Sequence, residues 1–183
     1  MPRLLPVRVR LAGTLPALLL LVSCRGAPAG LAEQQATTVL LPVPVTAQSA
    51  RVVRHVDGDT VVLRGEGPGP LPSAPTRVRL LQLDTPEVHG AQECFGPEAS
   101  QRTQELLPLG ASVRVQADVR LRDRYGRTLL LLWDAHGRSV QQALVHEGFA
   151  RVLHVRPNDL ALEELTEVQD AAQQAGRGLW SAC

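Results

Sequence analysis

Three carboxylates and two arginines, Asp59, Arg79, Asp84, Glu87 and Arg127, are spaced so that the ends of a few strands could gather them into one cleft. Asp59 belongs to the turn Asp57-Gly58-Asp59-Thr60, and Arg79 leads the run Arg79-Leu80-Leu81-Gln82-Leu83-Asp84-Thr85-Pro86-Glu87. Leu80 to Leu83 reads as a buried strand. It delivers Arg79 on one side and Asp84 at its exit, with Glu87 on a turn stiffened by Pro86. A hairpin placing Asp59 at the start of the preceding strand lets Asp59 and Asp84 converge. Two hard carboxylate oxygens, a backbone carbonyl and water make an open site suited to calcium and poorly suited to zinc, which prefers His or Cys. Arg79 and Arg127 supply the opposite charge, and a planar guanidinium matches both a phosphate and the added charge of a five-coordinate transition state. With Glu87 as a spare carboxylate, the set is an inventory for phosphodiester hydrolysis. Taken alone, Asp-Thr-Pro-Glu is also ordinary turn vocabulary.

The elements that must position these residues follow from periodicity and punctuation. Arg51 to Val56 alternates, Asp57-Gly58 signals a hairpin, and Thr60 to Arg64 returns. After the Gly/Pro-rich loop Gly65 to Pro75, Thr76 to Leu83 completes a meander. Pro97 suits the first position of a helix reaching about Leu107 before Pro108 and Gly110. Ser112 to Ala117 alternates, Asp123-Arg124-Tyr125-Gly126-Arg127 is a turn, and Thr128 to Trp133 is apolar enough for a strand buried on both faces. Ser139 with Gln142 forms a capping box for a helix ending at Gly148, and Asn158 or Asp159 caps one ending near Gly176. The expected fold is mainly β with α (α+β): a five-stranded Greek-key barrel of the OB type with three helices.

The motifs, taken in order, resemble the staphylococcal nuclease (thermonuclease) family. They are Asp57-Gly58-Asp59-Thr60, Arg79-Leu80-Leu81, Asp84-Thr85-Pro86-Glu87, Phe95-Gly96-Pro97-Glu98-Ala99-Ser100, Asp123-Arg124-Tyr125-Gly126-Arg127 and Ala143-Leu144-Val145 with Gly148. The resemblance covers residues 51 to about 181. It implies an OB-fold barrel and a calcium-dependent nuclease that cleaves DNA and RNA at the 5′ P–O bond to leave 3′-phosphates. By the same resemblance, Asp59, Asp84 and the carbonyl of Thr85 would bind calcium, Arg79 and Arg127 would hold the scissile phosphate, Tyr125 would contact a terminal phosphate, and Glu87 would orient or deprotonate the attacking water. His154 and Arg156 stand where the family's type member has two tyrosines, so its base-stacking wall is not carried over. The alternative is a catalytically inactive nuclease-like OB domain that binds nucleic acid or protein; the completeness of the catalytic set favours the enzyme. His89 lacks spaced partner ligands and reads as an exposed loop residue.

The amino terminus reads separately from this domain. Arg3, Arg8 and Arg10 precede an apolar stretch, Leu11 to Val22, too short to span a bilayer, and Leu21-Val22-Ser23-Cys24 resembles the lipobox of bacterial lipoproteins. Residues 1–24 are therefore expected to be an export signal with Cys24 as a membrane lipid anchor. The alternative is a plain signal cut near Ala27-Pro28-Ala29 and a secreted protein. Residues 25–50 read as a flexible tether and 51–183 as the nuclease-like domain, a monomer.

From Arg51 onward 15 arginines face 17 acids, a balance of about −2, so no global field for polyanions is present. Distribution carries more: Arg114, Arg120, Arg122, Arg124 and Arg127 cluster, either as a solvated strand edge or as a nucleic-acid track. Cys94 and Cys183 form an even pair, and such pairs in exported domains are usually bonded. The fold of the resembling family brings the chain's end back toward the first helix, which implies a Cys94–Cys183 disulfide rather than two free thiols.

Overall fold

The computed structural model describes residues 41–183; the lipobox, Cys24 and the first part of the tether lie outside the described residues. Five strands close into a barrel in the order β1, β2, β3, β6, β5. They are β1 (Gln48–His55), β2 (Thr60–Glu66), β3 (Thr76–Leu80), β5 (Ser112–Gln116) and β6 (Thr128–Trp133). β3 and β6 run parallel, with Val78 opposite Thr128 and Arg79 opposite Leu129, and the other barrel pairs are antiparallel. Closure leaves no exposed edge between these strands.

The barrel forms where the sequence supplies branched and apolar residues. β6 is buried at every position, and Val61, Leu63, Val78, Leu80, Val113, Val115, Leu130 and Leu132 fill the core. Among the described residues four helices accompany the barrel, one more than expected: α1 (Gly96–Leu106), α2 (Val140–His146), α3 (Leu162–Gln174) and the short α4 (Leu179–Ala182) near the chain's end. Pro97 starts α1, and the Ser139 hydroxyl accepts the Gln142 N–H to cap α2. The fold is the expected five-stranded barrel with helices.

Four details differ from the sequence reading. The third strand stops at Leu80 rather than Leu83, because Gln82 adopts a left-handed backbone (φ 65°) and turns the chain. Leu83–Asp84 then forms β4, which pairs outside the barrel with β7 (Arg151–Val152). The helix α3 begins at Leu162, beyond both expected caps. The Asn158 amide is committed elsewhere: its Oδ1 accepts the Arg120 N–H at 2.6 Å and its Nδ2 donates to the Arg120 carbonyl at 3.1 Å. Finally, packed structure is already present before Arg51. β1 begins at Gln48, Leu41 and Val43 pack on the core, and the Trp133 indole donates to the Leu41 carbonyl at 2.8 Å. The apolar side chains of that stretch find a partner surface that local composition does not reveal.

Candidate active site

The site is assembled from the β1–β2 hairpin, the β3–β4 break and the turn before β6. In the hairpin, the Asp57 carboxylate accepts the Asp59 N–H at 3.1 Å, an Asx turn that fixes the approach of Asp59 to β2. Gly58 lies against Thr85 so closely that a Cβ at residue 58 would fall 2.5 Å from Thr85 Oγ1. The Thr103 hydroxyl of α1 donates to the Gly58 carbonyl, so the first helix holds this hairpin from behind.

Register then brings the charges together. Thr60 pairs with Arg79 across β2 and β3, and the Leu80 N–H donates to the Asp59 carbonyl at 2.8 Å. Arg79 is buried, and one of its guanidinium nitrogens, Nη2, bridges Asp59 Oδ2 at 2.9 Å and Asp84 Oδ1 at 2.6 Å. Its other terminal nitrogen donates to the carbonyls of Leu80 (3.0 Å) and Leu83 (2.7 Å), the residues on either side of the Gln82 turn. The break in the strand is therefore what makes Arg79's seat. Thr85 follows with its N–H 3.4 Å from Asp59 Oδ2.

Arg127 joins the same network by a different route. Its Nε donates to Asp123 Oδ2 at 2.7 Å and its Nη1 lies 3.4 Å from the Thr60 hydroxyl, which donates to Asp59 Oδ1 at 2.9 Å. A continuous polar path thus runs from Arg127 through Thr60 and Asp59 to Arg79 and Asp84. Tyr125 is exposed, its ring lies under the guanidinium groups of Arg124 (4.7 Å) and Arg127 (5.6 Å), and its hydroxyl accepts from Arg124 at 2.6 Å. Glu87 is exposed and faces a recess of roughly 410 Å³ that it shares with Arg77, Tyr125 and Arg127. A neighbouring cleft of roughly 330 Å³ has Leu80, Leu81 and Leu129 among its apolar residues and Arg79, Arg120, Arg124 and Arg127 among its basic ones.

The electrostatics are uneven. Burial pushes the Asp59 carboxyl up to about 7, opposed by the nearby Arg79 charge and reinforced by Asp57. A buried carboxylate already seated against a guanidinium has the oxygens and the charge to hold a metal cation at the same place. Burial would also raise Asp123, but hydrogen bonds from the Arg127 side chain and from the Arg127 and Tyr125 N–H groups outweigh it and hold that carboxyl below its usual range. Among the described residues no cluster of three or more His, Cys, Asp or Glu side chains could cage a metal. The donors here are instead two convergent carboxylates beside the Thr85 backbone, an open set of hard oxygens that fits calcium chemistry.

The structure thus brings together Asp59, Arg79, Asp84 and Arg127 in one hydrogen-bonded network, and sets Glu87, Tyr125 and Arg127 around one recess. Cys94 and Cys183 are joined by a disulfide with Cα atoms 6.0 Å apart. His154 and Arg156 do not line the cleft; their neighbours Leu153 and Val155 do. The arginine cluster divides, with Arg120 and Arg124 on the cleft and Arg114 bonded to Ser49 and to the carbonyl of Ala47. His89 reaches the Val56 carbonyl at 3.0 Å from an exposed loop. Sequence reasoning assigned no role to Thr60 or Asp123. Their signal was adjacency to Asp59 and Arg127 within two short polar motifs.

Comparison with known proteins gives a consistent result. The profile of the family described as staphylococcal nuclease homologue matches residues 77–182. The chain is 33% identical over 138 residues to a thermonuclease of Staphylococcus hyicus, covering 73% of this chain and 76% of the relative. It is 32% identical over 139 residues to a thermonuclease of Staphylococcus intermedius, covering 74% and 78%. It is also 35% identical over 133 residues to the SPbeta prophage-derived endonuclease YokF of Bacillus subtilis, covering 70% of this chain and 42% of that longer protein.

Proposed function

The chain belongs to the staphylococcal nuclease family, and on that premise we propose that it is a calcium-dependent phosphodiesterase hydrolysing DNA and RNA at the 5′ P–O bond to leave 3′-phosphates. The observation that carries this reading is the single guanidinium nitrogen of Arg79 shared by Asp59 and Asp84. Two carboxylates drawn to one point are a cation site, and the arginine between them is already poised beside it.

Asp59, Asp84 and the Thr85 carbonyl are the residues that would hold calcium. When bound there, calcium supplies positive charge against the scissile phosphate. Arg79 and Arg127 bind phosphate oxygens and stabilise the charge that grows as phosphorus becomes five-coordinate. Arg79 reaches this role by exchanging its Nη2 bonds to the two aspartates for a phosphate oxygen, while Nη1 stays seated on Leu80 and Leu83. Arg127 keeps its Nε on Asp123, which aims its terminal nitrogens into the recess. The attacking water forms a new P–O bond, and the bond to the 5′ oxygen breaks. Glu87, facing that recess, orients the water or accepts its proton. Tyr125 and the arginines beside it suit a terminal phosphate.

The test is cleavage of DNA and RNA by the purified protein in calcium and in chelator, with analysis of product ends. Cleavage only with calcium, leaving 3′-phosphates, is expected. Nucleic-acid binding without cleavage would instead identify an inactive binding module.

We also propose that residues 1–24 direct export, that Cys24 carries the lipid, and that the nuclease works as a monomer outside the cytoplasm. Support comes from the charged start, the short apolar run and Leu21-Val22-Ser23-Cys24. Mass spectrometry of the mature protein from its host decides it; a mature terminus beyond residue 24 would mean a secreted, unanchored enzyme.

A further inference from the structure

Glu87 sits on an exposed turn, yet its backbone is held from both sides by one residue. The Glu93 carboxylate accepts the Glu87 N–H at 3.1 Å, and the Glu93 N–H donates to the Glu87 carbonyl at 2.9 Å. Gly96 closes the arrangement: its N–H donates to the Glu93 carbonyl at 3.1 Å, and a Cβ at residue 96 would fall 2.5 Å from the Glu87 carbonyl oxygen. The start of α1 is therefore pressed directly onto the turn that carries Glu87.

Glu93 is itself exposed, and the stretch from Val88 to Glu93 forms no helix or strand. A single solvent-exposed hydrogen bond does not fix a loop by itself. The next residue supplies the missing anchor. Cys94 is bonded to Cys183, and the short helix α4 (Leu179–Ala182) is secured by the buried Leu179, whose N–H donates to the Gly148 carbonyl at 2.9 Å. Phe95, left-handed at φ 70°, stacks on Phe149 with ring centroids 5.2 Å apart, adding a second attachment to the same region after α2. A chain of contacts thus leads from the end of α2 through α4 and the disulfide to Glu93 and on to Glu87.

We propose that Glu93 is a positioning residue for Glu87, held in register by the Cys94–Cys183 disulfide, so that full turnover requires both. This rests on the nuclease reading with Glu87 acting on water. A carboxylate that must meet one water is sensitive to small displacements, whereas substrate binding through arginines on other strands is not. Loss of the clamp therefore acts on kcat and leaves KM nearly unchanged.

The experiment uses the full chain with Glu93→Ala, Glu93→Gln, and Cys94→Ser with Cys183→Ser, each alone and combined with Glu87→Gln. Turnover and KM on DNA in saturating calcium are read well below each variant's melting temperature, and hydrogen exchange is read at the Glu87 amide. Glu93→Ala and the double serine variant are expected to lower kcat about tenfold or more, because misplacement of a reacting group is costly. Glu93→Gln, which keeps an acceptor, should retain most activity. In the Glu87→Gln background the same changes should alter kcat by less than about twofold, since the pair acts as a unit. Equal losses in both backgrounds, or unchanged kcat, would overturn the proposal. If the wild type cuts nothing, the nuclease reading has failed. The exchange measurement still judges the clamp, which is refuted if the Glu87 amide is equally protected in Glu93→Ala and in the double serine variant.

Discussion

Asp123 grips Arg127 at both ends: its Oδ1 accepts the Arg127 backbone N–H at 2.9 Å and its Oδ2 accepts Nε at 2.7 Å. The guanidinium is thereby fixed in orientation while half exposed to the recess. We expect Asp123→Ala to lower kcat/KM on DNA on the order of tenfold through Arg127 and also to melt earlier, because it removes three hydrogen bonds, from the Tyr125 N–H and from the Arg127 N–H and Nε, that tie the turn before β6. Unchanged kcat/KM would show that Arg127 needs no such guide.

The two arginines should separate in their effects on stability. Arg127→Lys and Arg79→Lys are both expected to reduce turnover on the order of 10² or more, since a point charge replaces a planar fork. Arg79 is 7% exposed and bonds two carboxylates and two carbonyls. Truncation to Ala strands Asp59 in the interior and should cost about 3 kcal/mol or more, as for other broken buried pairs. Urea unfolding of Arg79→Ala and Arg127→Ala in chelator checks the contrast; equal midpoints would refute it.

Asp59 sets a pH dependence of its own. Its carboxyl is raised by burial to about 7, well above the value of about 4 that it has in an unfolded chain. Between those values the folded state holds a proton that the unfolded chain has lost, so this group's contribution to stability falls as pH rises from about 4 to 7. In chelator, the wild type should therefore lose more stability over that range than Asp59→Asn, and calcium should restore more at pH 8 than at pH 5. Parallel pH profiles for the two proteins would contradict this. Asp123 and Asp134 act in the opposite sense and lower window. Burial would raise them, but hydrogen bonds from Arg127 and Arg138 respectively outweigh it and hold both carboxyls down, so their contribution is full above about 4 and is lost as pH falls further.

Gly58 is required by contact, because its backbone meets Thr85 where a Cβ would collide. Gly58→Ala is expected to force the hairpin off the β4 turn, costing roughly 1–3 kcal/mol of stability and weakening calcium binding by separating Asp59 from Asp84. Isothermal titration with calcium alone reads the second effect; wild-type affinity in the alanine variant would rule it out.

Much of the scaffold was legible because barrel strands and capped helices are local patterns: β6 is six buried residues in a row, and Ser139 does cap α2. The catalytic cluster was legible as motifs. What was not legible depends on partners distant in sequence. Gln82 takes a left-handed backbone where its carbonyl accepts the Leu153 N–H and its side chain the Ala161 N–H, contacts reaching 71 and 79 residues along the chain. Asn158 has the composition of a cap and is spent on Arg120 instead, 38 residues away. Thr60 acquires its place between Arg127 and Asp59 through strand register, which a turn motif does not specify.

The parallel pairing of β3 with β6 fixes when cutting power can appear. Arg79 lies opposite Leu129, two residues past Arg127, so the two arginines meet only after the intervening helix and β5 have been traversed and the barrel has closed. Long-range pairing of this kind is late and slow in folding, because loop closure precedes any reward. An unfolded chain lacking the β6 pairing therefore carries the carboxylates and both arginines without an assembled site. The site's two arginines are thus brought together by the closure of the barrel itself and not by any single local element.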